Sequence, residues 1–554
     1  MTNKPNMQIV KAPPAILSIR DLSVRLPGGG DRDFAVKGVS IDVHPGEIVC
    51  LVGESGSGKS VTAASVMRLN PLPVDHGKIL LEGEDLVSVS KPRLRQLRGT
   101  RMSMIFQEPM TALNPMHRVG DQVAELLLAH SDVSKIRDRR SAAAVVEKMF
   151  GDVHLPDPAG IMSRYPHQLS GGQRQRIMIA MALIMKPALV IADEPTTALD
   201  VTTQAQILSL LRELQKANGA GILFITHDFG VVADIADRIV VMRRGEIVEQ
   251  GCAADVLYNP QHDYTKALIA AVPKLIPRET STLARPPVLV ARNLTKVYPT
   301  AGSKGRGFRA VDDIGLAVHQ GQTLGIVGES GSGKSTAARC IARLIQPSSG
   351  QVVLGDTDIA TLGTARLRPF RRRMQMIFQD PYRSLNPRIT VGMSIIEGPL
   401  NYGVSRSEAE QRAKALLGMV SLDPSAFERY PHQFSGGQRQ RIAIARALIM
   451  DPELIIADEA VSALDVSVQA QVLDVLENIR DQMNLSILFI THDLRVASRL
   501  CDHIAVMRHG KVVEFSETAK LFACPKDPYT QELLSALPGR DWLESTRKRE
   551  LSVR

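Results

Sequence analysis

The chain has 554 residues, enough for about two to four domains of ordinary size. Hydrophobic residues make up 44% and charged residues 23% of the chain, which is the balance of an ordinary globular protein. The formal net charge of +9 would suit nucleic acid, an anionic membrane surface or a nucleotide, but a plain solvated basic surface explains it equally well. Because neither an aromatic RNA-binding motif nor zinc-finger spacing occurs, the sequence gives no support to nucleic-acid binding.

The cysteines and the apolar runs argue against disulfide-bonded, metal-cluster, exported and membrane-spanning proteins. The five cysteines form no CxxC pair and their number is odd, which argues against a disulfide framework, a zinc site or an iron–sulfur cluster. No stretch reaches the roughly 18 apolar residues of a membrane helix, and Met1–Pro14 lacks the apolar core of a signal peptide. We therefore expect a chain with reduced thiols that is neither exported nor membrane-spanning by itself.

The first motif along the chain is a glycine-rich loop. The short apolar run 50–52 is typical of a buried strand, the sequence GESGSGKS follows at 53–60, and an alanine-rich helical stretch comes next. This strand–loop–helix order is the context that a phosphate-binding P-loop requires, whereas an isolated glycine-rich loop is often only a turn. The glycines allow successive N–H groups to face a phosphate. Lys59 can then reach the β- and γ-phosphates of a nucleotide, and Ser60 can ligate Mg²⁺.

A pair of acids follows a second apolar run. Residues 188–192 end in Asp193 and Glu194, which places both carboxylates at the carboxyl edge of a predicted sheet, where α/β proteins bind ligands. We expect Asp193 to hold Mg²⁺ directly or through water, and Glu194 to orient and polarise an attacking water molecule. A strand end solvated by acids is the competing interpretation, but it fits poorly downstream of a P-loop.

The second half of the chain repeats the first. Five motifs recur in the same order, namely 53–60 at 328–335, 105–107 at 377–379, 170–176 at 435–441, 191–194 at 456–459, and 224–228 at 489–493. Lys59 and Lys334 are 275 positions apart, whereas Ser170 and Ser435 are 265 apart. The first copy therefore carries ten extra residues between those motifs, which indicates surface-loop insertions in one of two paralogous domains.

These motifs, in this order and present twice, resemble the ABC ATPase family. The sequence Ser-Gly-Gly-Gln, at 170–173 and 435–438, is highly specific for that family. The resemblance implies two tandem α/β P-loop NTPase domains. Each would have a mainly parallel sheet core, an antiparallel β subdomain and a helical subdomain that carries the signature motif. It also implies ATP and Mg²⁺ as cofactors and ATP hydrolysis as the activity.

The resemblance assigns roles residue by residue. The implied catalytic residues are Glu194, Glu459, His227, His492, Gln107 and Gln379. The implied metal ligands are Ser60, Gln107, Asp193, Ser335, Gln379 and Asp458. The glutamines would sense Mg²⁺ and the attacking water, and the histidines would contact the γ-phosphate. Without the family, each histidine would more readily be interpreted as a structural residue after a strand.

The implied ATP-binding residues form four groups. The phosphate loops comprise Gly53, Glu54, Ser55, Gly56, Ser57, Gly58, Lys59, Ser60 and Val61, and Gly328, Glu329, Ser330, Gly331, Ser332, Gly333, Lys334, Ser335 and Thr336. The signature loops comprise Ser170, Gly171, Gly172 and Gln173, and Ser435, Gly436, Gly437 and Gln438. The D-loop residues are Asp200 and Asp465, and Tyr298 is the expected adenine-stacking residue of the second copy. The first copy has Leu26 at the position of Tyr298, so its adenine contact stays open, with Phe34 as a candidate.

The family's head-to-tail arrangement implies composite sites. ATP on Lys59 would be closed by Ser435–Gln438, and ATP on Lys334 by Ser170–Gln173. ADP lacks the γ-phosphate, so the closed state should reopen after hydrolysis. Beside the catalytic glutamates the copies differ, with Pro-Thr in the first and Ala-Val in the second. Because no catalytic position is lost, we expect both sites to be competent.

Proline density suggests the domain boundaries. We assign 1–272 to the first ATPase domain, 273–287 to a proline-rich linker, 288–538 to the second ATPase domain and 539–554 to a charged tail or short helix. A short helix is expected at Asp263–Ala271, just before the linker.

A narrower resemblance concerns the ATPase subunits of dipeptide, oligopeptide and nickel importers. It rests on the sequences after the two glutamines, 108–115 and 380–387, on the tails 260–265 and 525–530, and on 165–168, 430–433 and 457–465. It implies a peripheral ATPase on the cytoplasmic face of the inner membrane that powers import of dipeptides, oligopeptides or glutathione. Two permease subunits, docked near the two glutamines, and an extracytoplasmic binding protein would complete the assembly. The solute stays open, with a peptide antibiotic and nickel as further candidates.

A different class of tandem ABC ATPase acts on ribosomes or DNA. The ribosome-associated type usually has a long charged helical linker, and the DNA-repair type carries zinc modules or long coiled coils. The linker here is short and proline-rich, and neither module is visible in the sequence. The tails and the sequences after the glutamines therefore favour the transporter interpretation, without a nucleic-acid partner.

Overall fold

The structure, a computed structural model, describes residues 14–27, 32–197, 199–275, 285–299, 307–462 and 464–553. The chain divides into two compact units. The first holds residues up to Leu199 together with Thr203–Ile269, and the second holds Asp200–Thr202 and the chain from Ala270 to the C-terminus. None of the helices in the described ranges is long and apolar enough to cross a lipid bilayer.

The described residues of the first unit form ten strands in two sheets. The strands are β1 (Leu17–Arg25), β2 (Phe34–Val43), β3 (Ile48–Val52), β4 (Val74–Leu81), β5 (Glu84–Asp85), β6 (Met102–Ile105), β7 (Leu189–Asp193), β8 (Gly221–Thr226), β9 (Arg238–Arg243) and β10 (Glu246–Cys252). An antiparallel sheet has the order β2-β1-β4-β5, and a six-stranded sheet has the order β10-β9-β3-β8-β7-β6. In the larger sheet only β10 runs antiparallel to its neighbour.

The same part of the chain has twelve α-helices within its described ranges. They are α1 (Lys59–Val66), α2 (Lys91–Thr100), α3 (Pro109–Ala112), α4 (Val119–Ala129), α5 (Ser131–Ser134), α6 (Arg139–Asp152), α7 (Pro158–Met162), α8 (Gly171–Leu183), α9 (Val201–Asn218), α10 (Phe229–Ile235), α11 (Ala253–Tyr258) and α12 (Asp263–Ala271). The helices α3 to α7 lie between β6 and β7 in the chain and form the predicted helical region before the signature motif. The helix α12 confirms the short helix expected there.

The second unit repeats this design. Its strands are β11 (Pro287–Tyr298), β12 (Phe308–His319), β13 (Thr323–Val327), β14 (Ser349–Leu354), β15 (Thr357–Asp358), β16 (Met374–Ile377), β17 (Leu454–Asp458), β18 (Ser486–Thr491), β19 (His503–Arg508) and β20 (Lys511–Glu517). The sheet orders are β12-β11-β14-β15 and β16-β17-β18-β13-β19-β20, which are the same neighbour relations as in the first unit.

Its helices follow the same plan. They are α13 (Lys334–Ile341), α14 (Thr364–Arg373), α15 (Pro381–Ser384), α16 (Val391–Asn401), α17 (Arg406–Met419), α18 (Gly436–Leu448), α19 (Val466–Met483), α20 (Leu494–Leu500), α21 (Thr518–Ala523), α22 (Pro528–Ser535) and α23 (Arg540–Val553). The charged C-terminal segment is thus a helix as far as Val553. The strand β11 begins at Pro287, the last residue of the predicted linker, and positions 276–284 of that linker lie outside the described residues.

The complete burial of the central strands explains why continuous apolar runs in the sequence predicted them. Every residue of β3, β7 and β8 is buried, as are those of β13, β17 and β18. A parallel sheet with both faces covered requires continuous apolar strands instead of an alternating pattern. The phosphate loops follow β3 and β13, and the paired acids end β7 and β17, so these strands bring both motifs to one sheet edge. The predicted fold class is confirmed.

Part of the ten-residue difference between the copies is a surface insertion. Val119 and Arg139, the first residues of α4 and α6, are 20 positions apart, whereas their counterparts Val391 and Arg406 are 15 apart. The short helix α5 lies in this interval, and none of its residues is buried. Five of the extra residues therefore lie on the surface, as the offsets predicted.

Candidate active sites

Each phosphate loop depends on a glycine that no other residue could replace. Gly53 has a φ of 150°, and a Cβ atom there would lie 2.2 Å from the carbonyl oxygen of Met242. Gly328 has a φ of 149° and the same 2.2 Å approach to the carbonyl oxygen of Met507. The backbone of each loop therefore packs directly against the adjacent strand, β9 in the first unit and β19 in the second. Each loop ends where α1 or α13 begins.

The P-loop lysines are held by their own loops. The Nζ atom of Lys59 donates to the carbonyl oxygens of Gly53 at 2.7 Å and Glu54 at 2.9 Å. The Nζ atom of Lys334 donates to the two equivalent carbonyl oxygens, both at 2.7 Å. Both lysines are buried, and burial lowers the pKa of Lys334. The loop thus fixes the ammonium group next to the N–H groups that would surround a phosphate.

The predicted magnesium ligands meet in each unit. The hydroxyl of Ser60 donates to Oδ1 of Asp193 at 3.2 Å, and that of Ser335 donates to Oδ1 of Asp458 at 2.9 Å. Burial raises the pKa of both aspartates, and the serine hydrogen bonds oppose the shift only in part. Oxygen ligands of this kind fit Mg²⁺, which usually binds one or two carboxylates and completes its shell with water and phosphate oxygens. In the described ranges, no cluster of three His, Cys, Asp or Glu side chains offers an all-protein metal site.

Glu194, the first of the two predicted catalytic glutamates, contacts three side chains. Gln107 Nε2 donates to Oε2 of Glu194 at 2.9 Å, His227 Nδ1 lies 3.2 Å from Oε1, and the hydroxyl of Thr197 donates to Oε2 at 2.9 Å. Burial favours the neutral acid, but the hydrogen bond and charge of His227, with the bond from Thr197, outweigh it and lower the pKa of Glu194 to about 2. The carboxylate is therefore an anion at neutral pH. The sequence did not predict the role of Thr197, although it lies only three positions after the glutamate.

The second glutamate has a similar but looser surrounding. Gln379 Nε2 donates to Oε2 of Glu459 at 2.8 Å, and His492 Nδ1 lies 3.5 Å from that oxygen. The hydroxyl of Ser462 donates to the backbone carbonyl of Glu459 instead of its side chain. Burial again opposes ionisation, and the contact with His492 lowers the pKa of Glu459. The structure thus brings the predicted glutamine, glutamate and histidine together in both units.

Both glutamates sit in a strained backbone conformation. Glu194 has a φ of 46° and Glu459 a φ of 49°, in the left-handed region that side-chain-bearing residues rarely adopt. Each residue follows the last residue of β7 or β17, so the strain turns the chain and presents the carboxylate at the sheet edge. Strain of this kind clusters at functional sites, although other residues of this chain, such as Glu82 and Arg244, adopt a similar φ.

The signature serines cap α8 and α18, the last α-helices before the paired acids. The hydroxyl of Ser170 accepts from the backbone N–H of Gln173 at 3.3 Å, and the Gln173 side chain accepts from the N–H of Ser170 at 3.0 Å. Ser435 and Gln438 form the same reciprocal capping box on α18. Each serine is exposed at a helix N-terminus, where the N–H groups and the helix dipole favour an anion. Asp200 and Asp465 directly precede α9 and α19.

The two candidate adenine-stacking residues lie at matching sheet ends. Tyr298 ends β11, and the Lys296 ammonium lies 5.2 Å from its ring centroid. Phe34 begins β2 opposite Arg25, whose guanidinium carbon lies 5.0 Å from the phenyl centroid. Both rings are half-buried at the margin of the antiparallel sheet. Leu26, the residue aligned with Tyr298, comes just after β1.

Comparison with known proteins agrees with this geometry. The model of the family "ABC transporter" matches residues 36–197 and 311–462, and that of "Oligopeptide/dipeptide transporter, C-terminal region" matches 248–297 and 513–551. The chain is similar to the peptidoglycan transport ATP-binding protein YejF of Agrobacterium fabrum, with 47% identity over 94% of this chain and 96% of that protein. It is also similar to the glutathione import ATP-binding protein GsiA of Pectobacterium atrosepticum, with 44% identity over 97% of this chain and 91% of that protein.

Among solved structures, a dimeric ATP-binding cassette in a post-hydrolysis state bound to ADP and Pi aligns with 42% of this chain and 98% of its own length. The identity is 29% and the TM-score is 0.39. The family matches include both phosphate loops, both signature motifs and both pairs of acids, and the matches to the relatives extend over nearly the whole chain. The chain therefore belongs to the ABC transporter family and is an ATP-hydrolysing protein with two such domains, each followed by the C-terminal region of oligopeptide and dipeptide transporters.

Proposed function

We propose that this protein powers the import of small peptides, of the dipeptide, oligopeptide or glutathione class, through partner permease subunits. One observation carries the proposal. The C-terminal region of oligopeptide and dipeptide transporters occurs twice, once after each domain that holds a complete glutamine–glutamate–histidine set. The relative named for glutathione import supports the same substrate class, and the relative named for peptidoglycan transport supports a transport role.

In the proposed hydrolysis step, Glu194 and Glu459 orient and polarise the attacking water. Mg²⁺, when bound, neutralises phosphate charge and would be held by Ser60 with Asp193, or by Ser335 with Asp458. Gln107 and Gln379 are the proposed links between the metal, the water and the permease. Each histidine contacts the glutamate here and would turn to the γ-phosphate when ATP is bound.

This movement of the histidine would change the basicity of the glutamate. The contact with His227 is the main reason that the pKa of Glu194 is as low as about 2, although burial favours the neutral acid. A carboxylate with so low a pKa is a weak base. Transfer of the histidine to the γ-phosphate removes that contact, raises the pKa of the glutamate and makes it a better base for the water. The histidine would thus couple ATP binding to catalytic competence.

The proposed sites are composite. The capped N-terminus of α18, at Ser435–Gln438, would close the ATP on Lys59, and that of α8, at Ser170–Gln173, would close the ATP on Lys334. Each capping box holds the first turn of its helix with exposed serine and N–H groups, which suits a γ-phosphate. Loss of that phosphate after hydrolysis removes these contacts, so ATP favours the closed state and ADP the open one.

A groove in the second unit supports permease docking. It has a volume of about 410 Å³ and lies beside β16, α16 and α18. Leu344 and Phe378, exposed at 51% and 39%, line it together with Met376. The charged residues of the lining are Arg371, Glu397 and Arg446. Phe378 directly precedes the catalytic glutamine of that unit, so a short amphipathic permease helix seated here would sense the state of the ATP site. We place the protein peripherally on the cytoplasmic face of the inner membrane, with two permeases and an extracytoplasmic binding protein.

The first experiment is affinity purification of the tagged chain from gently solubilised native membranes, followed by mass spectrometry. Two multi-spanning permeases and a secreted binding protein are the expected partners. Uptake of labelled dipeptide, tripeptide, glutathione and nickel is then compared between a deletion strain carrying the wild-type gene and one carrying the Glu194→Gln/Glu459→Gln gene. Ribosomal proteins or DNA in place of permeases would overturn the transport proposal while leaving the ATPase intact.

A further inference from the structure

The C-terminal region of each half contacts the phosphate loop through one tyrosine. The hydroxyl oxygen of Tyr264 accepts a hydrogen bond from the backbone N–H of Glu54 at 3.2 Å. That of Tyr529 accepts from the backbone N–H of Glu329 at 3.0 Å. Each tyrosine is the second residue of its helix, α12 or α22, and lies outside the matched ABC transporter domains. The repetition in both halves makes a chance contact an unsatisfactory explanation.

Tyrosine and P-loop lysine hold opposite edges of the same peptide group. In the first unit, the carbonyl of the Gly53–Glu54 peptide accepts from Lys59 Nζ at 2.7 Å, and the N–H of that peptide donates to Tyr264. In the second unit, Lys334 and Tyr529 hold the Gly328–Glu329 peptide in the same way. Because the glycine allows this peptide to adopt orientations that other residues forbid, an external hydrogen bond is needed to select one of them.

The C-terminal region holds each tyrosine firmly. Glu249 on β10 accepts the backbone N–H groups of Gln261 and His262, at 2.7 and 3.1 Å, and so fixes the turn that leads into α12. The guanidinium carbon of Arg243 lies 4.8 Å from the ring centroid of Tyr264. Burial raises the pKa of Tyr264 to about 12, which keeps its hydroxyl neutral across the physiological range.

The second unit uses the same devices. Glu514 on β20 accepts the N–H groups of Lys526 and Asp527, both at 3.0 Å, and Arg508 lies 4.5 Å from the ring centroid of Tyr529. Burial raises the pKa of Tyr529 to about 12 as well. The backbone hydrogen bonds and the arginine contact of the C-terminal region therefore hold each tyrosine in place beside the phosphate loop.

We propose that Tyr264 and Tyr529 are positioning residues of the ATPase, each of which fixes the peptide that aims the P-loop lysine at the β- and γ-phosphates. The ATP affinity of each site thereby depends on the C-terminal region that follows it. Removal of the hydroxyl leaves the P-loop N–H without this acceptor, so the peptide rotates more freely and the lysine loses its fixed carbonyl partner. This inference rests on the ATPase activity alone, and its failure would leave the transport proposal untouched.

The test uses the purified full-length chain with Tyr264→Phe and Tyr529→Phe, singly and together. Phenylalanine keeps the ring and its cation–π contact and removes only the hydroxyl. In the double variant, we expect the Kd for a fluorescent ATP analogue with Mg²⁺ and the KM for ATP to rise about threefold to tenfold, the effect of one lost hydrogen bond. The kcat and the nucleotide-free melting temperature should stay close to wild type, and each single variant should weaken one of two binding sites.

Tyr258→Phe is the matched control, because it removes another tyrosine hydroxyl from the first C-terminal region, at the end of α11. It should leave the Kd and the KM unchanged. An unchanged Kd and KM in the double variant would overturn the proposal. So would a loss of nucleotide-free stability with an unchanged Kd in the folded protein, since that result would assign the tyrosines a purely structural role.

Discussion

Glu194 and Glu459 occupy equivalent positions but differ in one hydroxyl partner. Thr197 donates to the side chain of Glu194, whereas Ser462 donates to the backbone carbonyl of Glu459. The histidine contact is also shorter in the first unit, 3.2 Å against 3.5 Å. These differences leave the glutamine–glutamate–histidine set intact in both units. The geometry therefore favours two working sites whose glutamates have different hydrogen-bond partners.

Single substitutions of the two glutamates test that expectation. Loss of a group that orients the attacking water lowers turnover at its site by about 10²- to 10⁴-fold. Glu194→Gln and Glu459→Gln should therefore each leave about half of the steady-state ATPase activity, and the double variant about one hundredth or less. The half-buried Glu84, which pairs with Arg93 away from the predicted site, provides a control as Glu84→Gln. Full activity in one single variant would mean that only the other site hydrolyses ATP.

Replacement of a predicted metal-site aspartate should stabilise the nucleotide-free protein but lower its ATPase activity. Burial raises the pKa of Asp193 above its ordinary 3.8, so its charged form costs stability at neutral pH when no cation is bound. We expect Asp193→Asn to raise the nucleotide-free melting temperature at pH 8 by on the order of 2 °C and to impair Mg²⁺-dependent hydrolysis. The gap in melting temperature should narrow as the pH falls towards the raised pKa, where the wild-type carboxyl becomes neutral.

Asp138→Asn is a control of opposite sign for this test. Asp138 accepts the backbone N–H of Ser141 at 2.9 Å, and this bond lowers its pKa. Its charged form is therefore favourable, and its replacement should lower the melting temperature at pH 8 with little effect on ATPase activity. A lower melting temperature for Asp193→Asn at pH 8 would contradict the argument from burial.

At the scale of elements, the helices α8 and α18 combine a stabilising cap with a proposed phosphate contact. The helices α6 and α17 have matched caps without that second role, since Asp138 and Ser405 accept N–H groups in their first turns. Replacement of a capping side chain by alanine costs about 1 kcal/mol at either kind of helix. The double variants Ser170→Ala/Ser435→Ala and Asp138→Ala/Ser405→Ala should therefore be destabilised to a similar extent.

Their ATPase activities should differ. The proposed loss of a donor to the γ-phosphate lowers turnover by about 10²-fold in Ser170→Ala/Ser435→Ala, whereas the cap control keeps near wild-type activity. Thermal melting and steady-state hydrolysis on the same samples separate the two effects. Equal activity in both double variants would show that the signature serines act only as helix caps.

The elements also show what the sequence could predict. Continuous apolar runs identified β3 and β7 with the motifs at their ends, because strands buried on both faces need no alternation. The antiparallel strand β1 has no such signal. Its register with β2 and β4 shifts beyond Ile19 and Arg20, and Asp21 has a φ of 49°, so the period-two alternation of buried residues is broken.

Contacts between residues that are far apart in the sequence were the second feature that the sequence alone did not predict. Gln107 and Glu194 are 87 positions apart, and Glu54 and Tyr264 are 210 apart. The first pair was expected because the family resemblance assigns both residues to catalysis. The second pair had no such guide, since a tyrosine in a repeated tail motif does not by itself indicate a phosphate loop. Only the fold, which returns the chain from β10 through α12 to the P-loop, brings them together.

At the scale of the whole molecule, the fusion of two ATPase domains in one chain allows a test of the composite sites. If ATP on Lys59 is closed by Ser435, and ATP on Lys334 by Ser170, paired substitutions have different consequences according to how they are combined. Lys59→Ala with Ser435→Ala damages one proposed site twice and spares the other. Lys59→Ala with Ser170→Ala damages both proposed sites once, although both changes lie in the first half of the chain.

Nucleotide trapping distinguishes these combinations. In a Glu194→Gln/Glu459→Gln background, which prevents turnover, the Lys59→Ala/Ser435→Ala chain should retain about one ATP after rapid gel filtration, because head-to-tail closure leaves one site whole. The Lys59→Ala/Ser170→Ala chain should retain close to none. The reverse result, with one ATP on the second chain and none on the first, would mean that each signature loop serves the phosphate loop of its own half. Each half would then be an independent ATPase, and the fusion would serve only to keep two copies beside the permeases.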